Sequence, residues 1–177
     1  MLYEITVPQF IKTLKNLNSI LDKGMQFAET KKFDPSVYLT LRLAPDQLDF
    51  AHQIQIATDT AKLGIARVTG NDGSNASSTK PAPKHNDTEK TLPEFKSRIE
   101  SVINYLQSFS AKDFSGAEER RVTTPRWEGK TLSGTEFVIH HVIPNFYFHV
   151  TMAYAILRHN GVDIGKKDFL GPIPYKA

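Results

Sequence analysis

Two histidines and one asparagine recur at helical spacing in the last third of the sequence. His141, Asn145 and His149 occupy positions i, i+4 and i+8. At about 100° per residue, these side chains would lie within about 80° of one another on one helix face. Histidines one helical turn apart can converge on a metal ion, whereas asparagine is a weak ligand for zinc or iron. The pattern predicts either a metal-binding face or polar packing partners for a carbonyl group that Pro144 leaves free.

A second polar stripe lies earlier in the chain, where His52, Gln55 and Asp59 occupy positions i, i+3 and i+7. If this stripe faces Asn145 and His149, the mixed nitrogen and oxygen ligands suit a divalent transition metal better than calcium. Asp59 could instead orient a histidine from outside the ligand set. The same stripe is also typical of a solvated helix face. The sequence leaves these three interpretations open.

The elements that must position these residues are four helices with apolar side chains at three- and four-residue spacing. The first is predicted from residue 7 to between residues 28 and 32, with Thr6 as its N-cap and Pro8 in its first turn. The second is predicted from Pro45 to about residue 68, with Gly64 allowing a neighbouring helix to approach closely. Four such helices predict an all-α chain, an antiparallel four-helix bundle in a single domain over residues 1–177.

The third helix is predicted to begin after Thr91, which forms a capping box with Glu94. The last helix is predicted from residue 134 or 135 to residue 159, with a kink at Pro144. A small hairpin-like insertion around residues 125–129 precedes it.

Two segments, one between the helices and one after them, are predicted to lack regular structure. Residues 70–87 form a surface loop that holds a solvated His85. Residues 162–177 form an irregular tail, from which Phe169 and Leu170 are expected to bury against the helices.

Composition excludes several classes of function. Lys and Arg exceed Asp and Glu by 22 to 19, and this net charge of +3 is scattered, which argues against a nucleic-acid partner. The chain has no cysteine, so disulfides, a catalytic cysteine and cysteine-ligated zinc are excluded. No apolar run approaches the roughly 20 residues that a membrane span needs. We therefore expect a cytoplasmic protein without a membrane partner.

Seven stretches, spread over nearly the whole chain, resemble an uncharacterised family within the DinB/YfiT-like superfamily of metalloenzymes. The most specific are the run around residues 145–158 and the Gly-Lys-Lys-Asp-Phe-Leu-Gly run of the tail. The stretches that carry the resemblance are residues 42–46, 53–59, 60–62, 88–89, 144–149, 153–158 and 165–171.

The resemblance implies a four-helix bundle that is often a homodimer. Metal-binding members of the superfamily use one histidine on the second helix and two, four residues apart, on the last. His149 matches one ligand on the last helix, while Asn145 stands where the other would be. On the second helix, His52 and Asp59 are the candidate ligands. The metal implied is a divalent ion such as zinc, nickel, iron or manganese.

The leading functional prediction is a divalent-metal or small-molecule pocket between the second and last helices. The resemblance implies thiol-dependent transferase or isomerase chemistry, in which a metal lowers the pKa of a bound thiol or water. The alternatives are a non-catalytic module that binds a small apolar ligand and a structural dimer, either of which would have lost the metal. Tyr147 and Tyr154, with Phe146 and Phe148, are the predicted lining of the non-catalytic pocket. Whether the chain is an enzyme is left open.

Overall fold

A computed structural model describes residues 1–73 and 78–176, which are mostly helical. β1 (Arg121–Val122) and β2 (Leu132–Ser133) form an antiparallel pair before the last long helix. A π-helical segment, Val138–Val142, joins α4 to α5. The α-helices within the described ranges are α1 (Leu2–Lys31), α2 (Phe50–Thr69), α3 (Leu92–Gln107), α4 (Gly134–Phe137), α5 (Ile143–His159) and α6 (Lys166–Leu170). Three short 3-10 helices, Pro35–Thr40, Ala111–Phe114 and Pro125–Trp127, lie between them.

The long helices surround one apolar core. α2 packs against α5 and α3, and α1 packs against α3 and α5. Each long helix contributes a buried phenylalanine to this core: Phe10, Phe50, Phe95 and Phe146. The helical class predicted from the apolar stripes is therefore confirmed. Within the described part of the chain, no helix is both long and apolar enough to cross a membrane.

The starts of the first two helices differ from the predicted ones. α1 begins at Leu2, and Thr6 is not a cap, because its hydroxyl donates to the Leu2 carbonyl within the helix. Pro8 lies inside α1 and not in its first turn. α2 begins at Phe50 and not at Pro45, because the Asp49 side chain accepts the His52 N–H and caps the helix there.

Later elements match the sequence more closely. Thr91 and Glu94 form the predicted capping box of α3. No helix or strand occurs in the described residues of the predicted 70–87 loop, and residues 74–77 lie outside the described ranges. The tail is not wholly irregular, since it contains α6. Phe169 packs against the core as expected, whereas Leu170 is 39% exposed, which corrects its predicted burial.

Two features of the last long helix shape the region next to α2. The irregularity expected from Pro144 lies in the π-helical turn just before it, where the Ile143 N–H donates to the Val138 carbonyl five residues back. Such turns occur frequently at functional sites. Val142 from this segment packs over Gly64 of α2, where a Cβ atom would lie 2.6 Å from the valine Cγ1. Gly64 thus allows the close helix approach that the sequence predicted.

Candidate functional site

A cavity of about 480 Å³ lies between α2, the hairpin and the last long helix. Its position is the one predicted for a pocket between the second and last helices. Its size lies within the range of small-molecule sites. The side chains lining it that bear on its chemistry are Ile56, Arg67, Trp127, His141, Asn145 and His149.

The orientation of His149 is fixed by a chain of two hydrogen bonds from α2. The Gln53 amide nitrogen donates to the Leu48 carbonyl at 2.8 Å, so the Gln53 carbonyl oxygen must face the other way. This oxygen lies 2.7 Å from His149 Nδ1. Because a carboxamide oxygen only accepts, Nδ1 carries the proton and Nε2 keeps its lone pair. His149 is 7% exposed and lines the cavity, and Nε2 is the ring nitrogen that has no hydrogen bond to the described residues.

Burial favours the neutral form of both imidazoles that line the cavity. Desolvation lowers the pKa of His149, and desolvation together with the nearby Arg67 cation lowers the pKa of His141. The His141 ring stacks on Phe137 and meets the edge of Trp127, with ring centroids 5.4 Å apart in both pairs. The hairpin therefore closes one side of the cavity over the π-helical turn.

Asn145 lines the cavity next to His149, but its amide nitrogen is already engaged. It donates to the Thr60 hydroxyl of α2 at 2.8 Å. Asn145 thus links the last helix to α2, which supports the packing interpretation of this residue. The structure brings His141, Asn145 and His149 to one cavity, as their spacing predicts.

The second-helix candidates lie elsewhere. His52 is exposed in the first turn of α2, and its Nδ1 lies 2.7 Å from the Asp49 carboxylate. Asp59 accepts from the buried Arg98 of α3 at 2.7 Å and from Lys62 at 2.9 Å. Gln55 likewise points towards the α3 side, where it bonds to Glu89. His52 therefore faces solvent, and Gln55 and Asp59 bond towards α3. Asp59 also lines a smaller pocket of about 110 Å³ with His141, but neither His52 nor Asp59 lines the cavity with His149.

The positions of these side chains show whether they could coordinate one metal ion together. Among the described residues, no group of three or more His, Cys, Asp or Glu side chains could hold one. The Asp59 carboxylate is neutralised by two cations, and the Asn145 amide bonds to Thr60. The four predicted ligands, His52, Asp59, Asn145 and His149, do not form one donor set. The side chains around His149 therefore do not fit the three-histidine centre of the metal-binding superfamily members.

The four side chains of the predicted aromatic pocket lie in different surroundings. Tyr147 packs beside Phe146 in the core, and Phe146 is fully buried against Phe10. Tyr154 meets the Phe169 ring of α6, while Phe148 is 53% exposed. Neither Tyr147 nor Tyr154 is among the described side chains that line the cavity beside His149.

The sequence interpretation missed three residues of this site: Gln53, Arg67 and Trp127. Gln53, Ile56, Thr60 and Arg67 fall within about 60° on one face of α2, at 100° per residue. This spacing could have indicated the face before the structure was known. Trp127 is the only tryptophan in the chain, but nothing in the local sequence shows that the hairpin folds over the cavity.

The comparisons with known proteins agree with this fold. A family model described as Domain of unknown function (DUF1993) matches residues 2–170. The crystal structure of a DinB family member protein from Shewanella denitrificans is 56% identical, with a TM-score of 0.92. That match spans 100% of this chain and 96% of the other. None of the curated proteins matches the chain.

The class of protein is thus a helical one of the DinB type. The chain belongs to the DUF1993 family, as the resemblance of its sequence indicated.

Proposed function

We propose that the chain is a small-molecule-binding protein built on an antiparallel four-helix bundle of the DinB type. Its ligand occupies the cavity between α2 and the last long helix, and His149 Nε2 is the atom that receives a hydrogen bond or proton from it. The observation that carries the proposal is the fixed Leu48–Gln53–His149 chain of hydrogen bonds. A buried amide that sets the tautomer of a cavity histidine prepares one nitrogen for a ligand.

The metal-centred form of the prediction has weaker support. A divalent zinc, nickel, iron or manganese ion needs several converging donors, and only His149 of the four predicted ligands presents a free nitrogen to the cavity. The thiol-dependent transfer or isomerisation implied by the family stays a prediction. In this pocket, His149 Nε2 would be the group that accepts the proton of a thiol supplied as a substrate.

The experiment combines a binding readout with metal analysis. Trp127 lines the cavity and is the only tryptophan, so its fluorescence reports on ligands that enter there. A library of small organic fragments is titrated against the wild type and a His149→Phe variant. Histidine side-chain nitrogen NMR follows His149 and His141, with the exposed His159 as the internal control.

We expect some fragments to change the Trp127 emission and the His149 Nε2 signal together, and to bind the His149→Phe variant more weakly. The purified protein is also analysed for metals, beside the same variant. About one transition metal ion per chain, lost in the variant, would replace this proposal with the metal-centred one. A library without any binder at the cavity would contradict it directly.

A further inference from the structure

The charged side chains that line the cavity are all cationic. Two arginines, Arg67 from α2 and Arg126 from the hairpin, contribute to its wall. The other polar side chains of the lining are the imidazoles of His141 and His149, the amide of Asn145, the Thr124 hydroxyl and the Trp127 indole. No aspartate or glutamate is among the described side chains that line it; Asp59 lines a smaller pocket with Arg67 and His141, but its carboxylate is paired with Arg98 and Lys62. A cavity with cations and no lining carboxylate attracts an anion.

Arg67 is the half-buried member of the pair and the stronger anchor. Among the described residues it forms no hydrogen bond, and burial is the largest influence on its pKa, which it lowers. The Asp72 carboxylate opposes this shift, and Asp72 is not among the residues that line the cavity. A guanidinium stays protonated at any physiological pH and binds carboxylates through two parallel hydrogen bonds. An anionic group beside Arg67 would compensate this cation for the hydration that it loses on burial.

The two ends of the cavity differ in chemistry. Arg67 lies beside His141, which precedes His149 by eight residues, or about 12 Å along the last helix. Ile56 and Trp127 provide apolar surface within the same cavity. The site therefore suits an elongated molecule with a charged end at Arg67, an apolar body and a second end at His149.

We propose that this cavity binds a small organic carboxylate, with the carboxylate paired to Arg67 and the apolar body against Ile56 and Trp127. The inference rests on the proposed function and names the chemical class of its ligand. Arg126 is exposed and adds longer-range attraction at the cavity wall. His141, which lies beside Arg67, is placed to donate or accept a further hydrogen bond at the same end.

The test uses pairs of probes that differ only in charge. Acetate, benzoate and 4-phenylbutyrate are titrated against the protein beside their primary amides, with Trp127 fluorescence and calorimetry as readouts. We expect each carboxylate to bind more tightly than its amide. We also expect 4-phenylbutyrate to bind most tightly, because its length best matches the separation of the two ends.

Variants of Arg67 test whether its guanidinium is the group that binds the carboxylate. Arg67→Gln should weaken carboxylate binding about tenfold and leave amide binding within about twofold, since a charge-assisted pair is lost. Arg67→Lys should restore part of the preference and shows whether the variant site still folds. Arg121→Gln is the control, because Arg121 lies in the hairpin that carries Arg126 but bonds to Thr131 and does not line the cavity.

The outcomes distinguish the carboxylate inference from the proposed function on which it rests. Equal binding of carboxylates and amides, or a preference that survives Arg67→Gln, would overturn the carboxylate inference while leaving a ligand pocket in place. Probes that change neither the Trp127 emission nor the His149 signal, together with a fragment library that yields no binder, would overturn both.

Discussion

The Gln53 carbonyl oxygen lies 2.7 Å from His149 Nδ1, and this contact fixes which imidazole nitrogen carries the proton. Both side chains are buried, and the Gln53 amide is held from behind by the Leu48 carbonyl. The pair connects the start of α2 to the middle of α5. It is the feature that most distinguishes this site from a cluster of metal-ligating histidines.

Replacing Gln53 should release the His149 tautomer. In Gln53→Leu the Nδ1–H loses its acceptor in a buried place, which should cost about 1–3 kcal/mol of the free energy of unfolding. Histidine nitrogen NMR should show His149 changing from a single tautomer to a mixture. Gln26→Leu, at an exposed position of α1, is the control and should change stability by less than about 0.5 kcal/mol. An unchanged His149 spectrum in Gln53→Leu would contradict the hydrogen-bond chain.

Adding a methyl group at Gly64 should destabilise the contact between α2 and the π-helical segment. A Cβ atom there would lie 2.6 Å from Val142 Cγ1, so Gly64→Ala should cost about 1–3 kcal/mol despite the better helix propensity of alanine. Gly24→Ala is the matched control, because its nearest neighbour would lie at 3.6 Å. Denaturant unfolding of both variants tests this. The double variant Gly64→Ala with Val142→Ala should recover stability, and failure to do so would refute the steric explanation.

Asp59 should prove to be a structural ion-pair partner. Its carboxylate accepts from Arg98 and Lys62, and both cations are buried. Asp59→Asn leaves part of that positive charge uncompensated, so the melting temperature should fall clearly, as when one partner of a buried pair is removed. The His149 NMR signals should stay where they are in the wild type. A variant with unchanged stability but altered His149 signals would support the original ligand prediction instead.

His85 should make the protein sensitive to mild acid. The structure corrects its predicted solvation: its Nδ1 lies 2.8 Å from Lys62 Nζ, and its Nε2 faces the Ser101 hydroxyl. Burial, then Lys62 and Arg98, lower its pKa below the ordinary 6.5, while Asp59 and Glu89 oppose the shift. The unfolded chain therefore binds this proton more readily than the folded one. Stability is fully present above pH 6.5 and is lost as the pH falls through the folded-state pKa.

The measurement for His85 is the free energy of unfolding between pH 5 and pH 8. His85→Gln keeps an acceptor for Lys62 without a titrating group, so its stability should depend less steeply on pH. Some dependence should remain, because the pKa values of His141 and His149 are lowered as well. His159→Gln, at an exposed position, is the control. Identical pH profiles for His85→Gln and the wild type would rule out this role.

The tail should contribute to stability through Phe169 and not through Leu170. Phe169 packs against Tyr154, its carbonyl accepts from Asn16, and Lys23 pairs with Asp168. Phe169→Ala should cost about 2–4 kcal/mol, whereas Leu170→Ala should cost less than about 0.5 kcal/mol. Removal of residues 162–177 should lower the melting temperature further, because Val162 and Ile164 are buried too. A truncated chain that melts like the wild type would disprove this.

The sequence by itself determined the helices, because apolar spacing and capping residues act over a few positions. It also identified the family, the α3 capping box, the short hairpin and the shared face of His141, Asn145 and His149. The predicted start of α2 was wrong, because two nearby residues both resemble the start of a helix. Pro45 resembled a helix start, but the Asp49 side chain supplies the hydrogen bond that begins α2.

Only the tertiary structure decided which face of α2 meets the last helix. His52 and Gln53 are neighbours in the sequence and point about 100° apart, so one faces solvent and the other faces His149. Both faces of α2 carry polar side chains, and local spacing cannot distinguish a face that packs on α3 from one that packs on α5. The same reason explains Asp59, whose partner Arg98 comes from 39 residues further along the chain. The chemistry of the pocket depends on contacts between distant segments, which the order of residues alone does not specify.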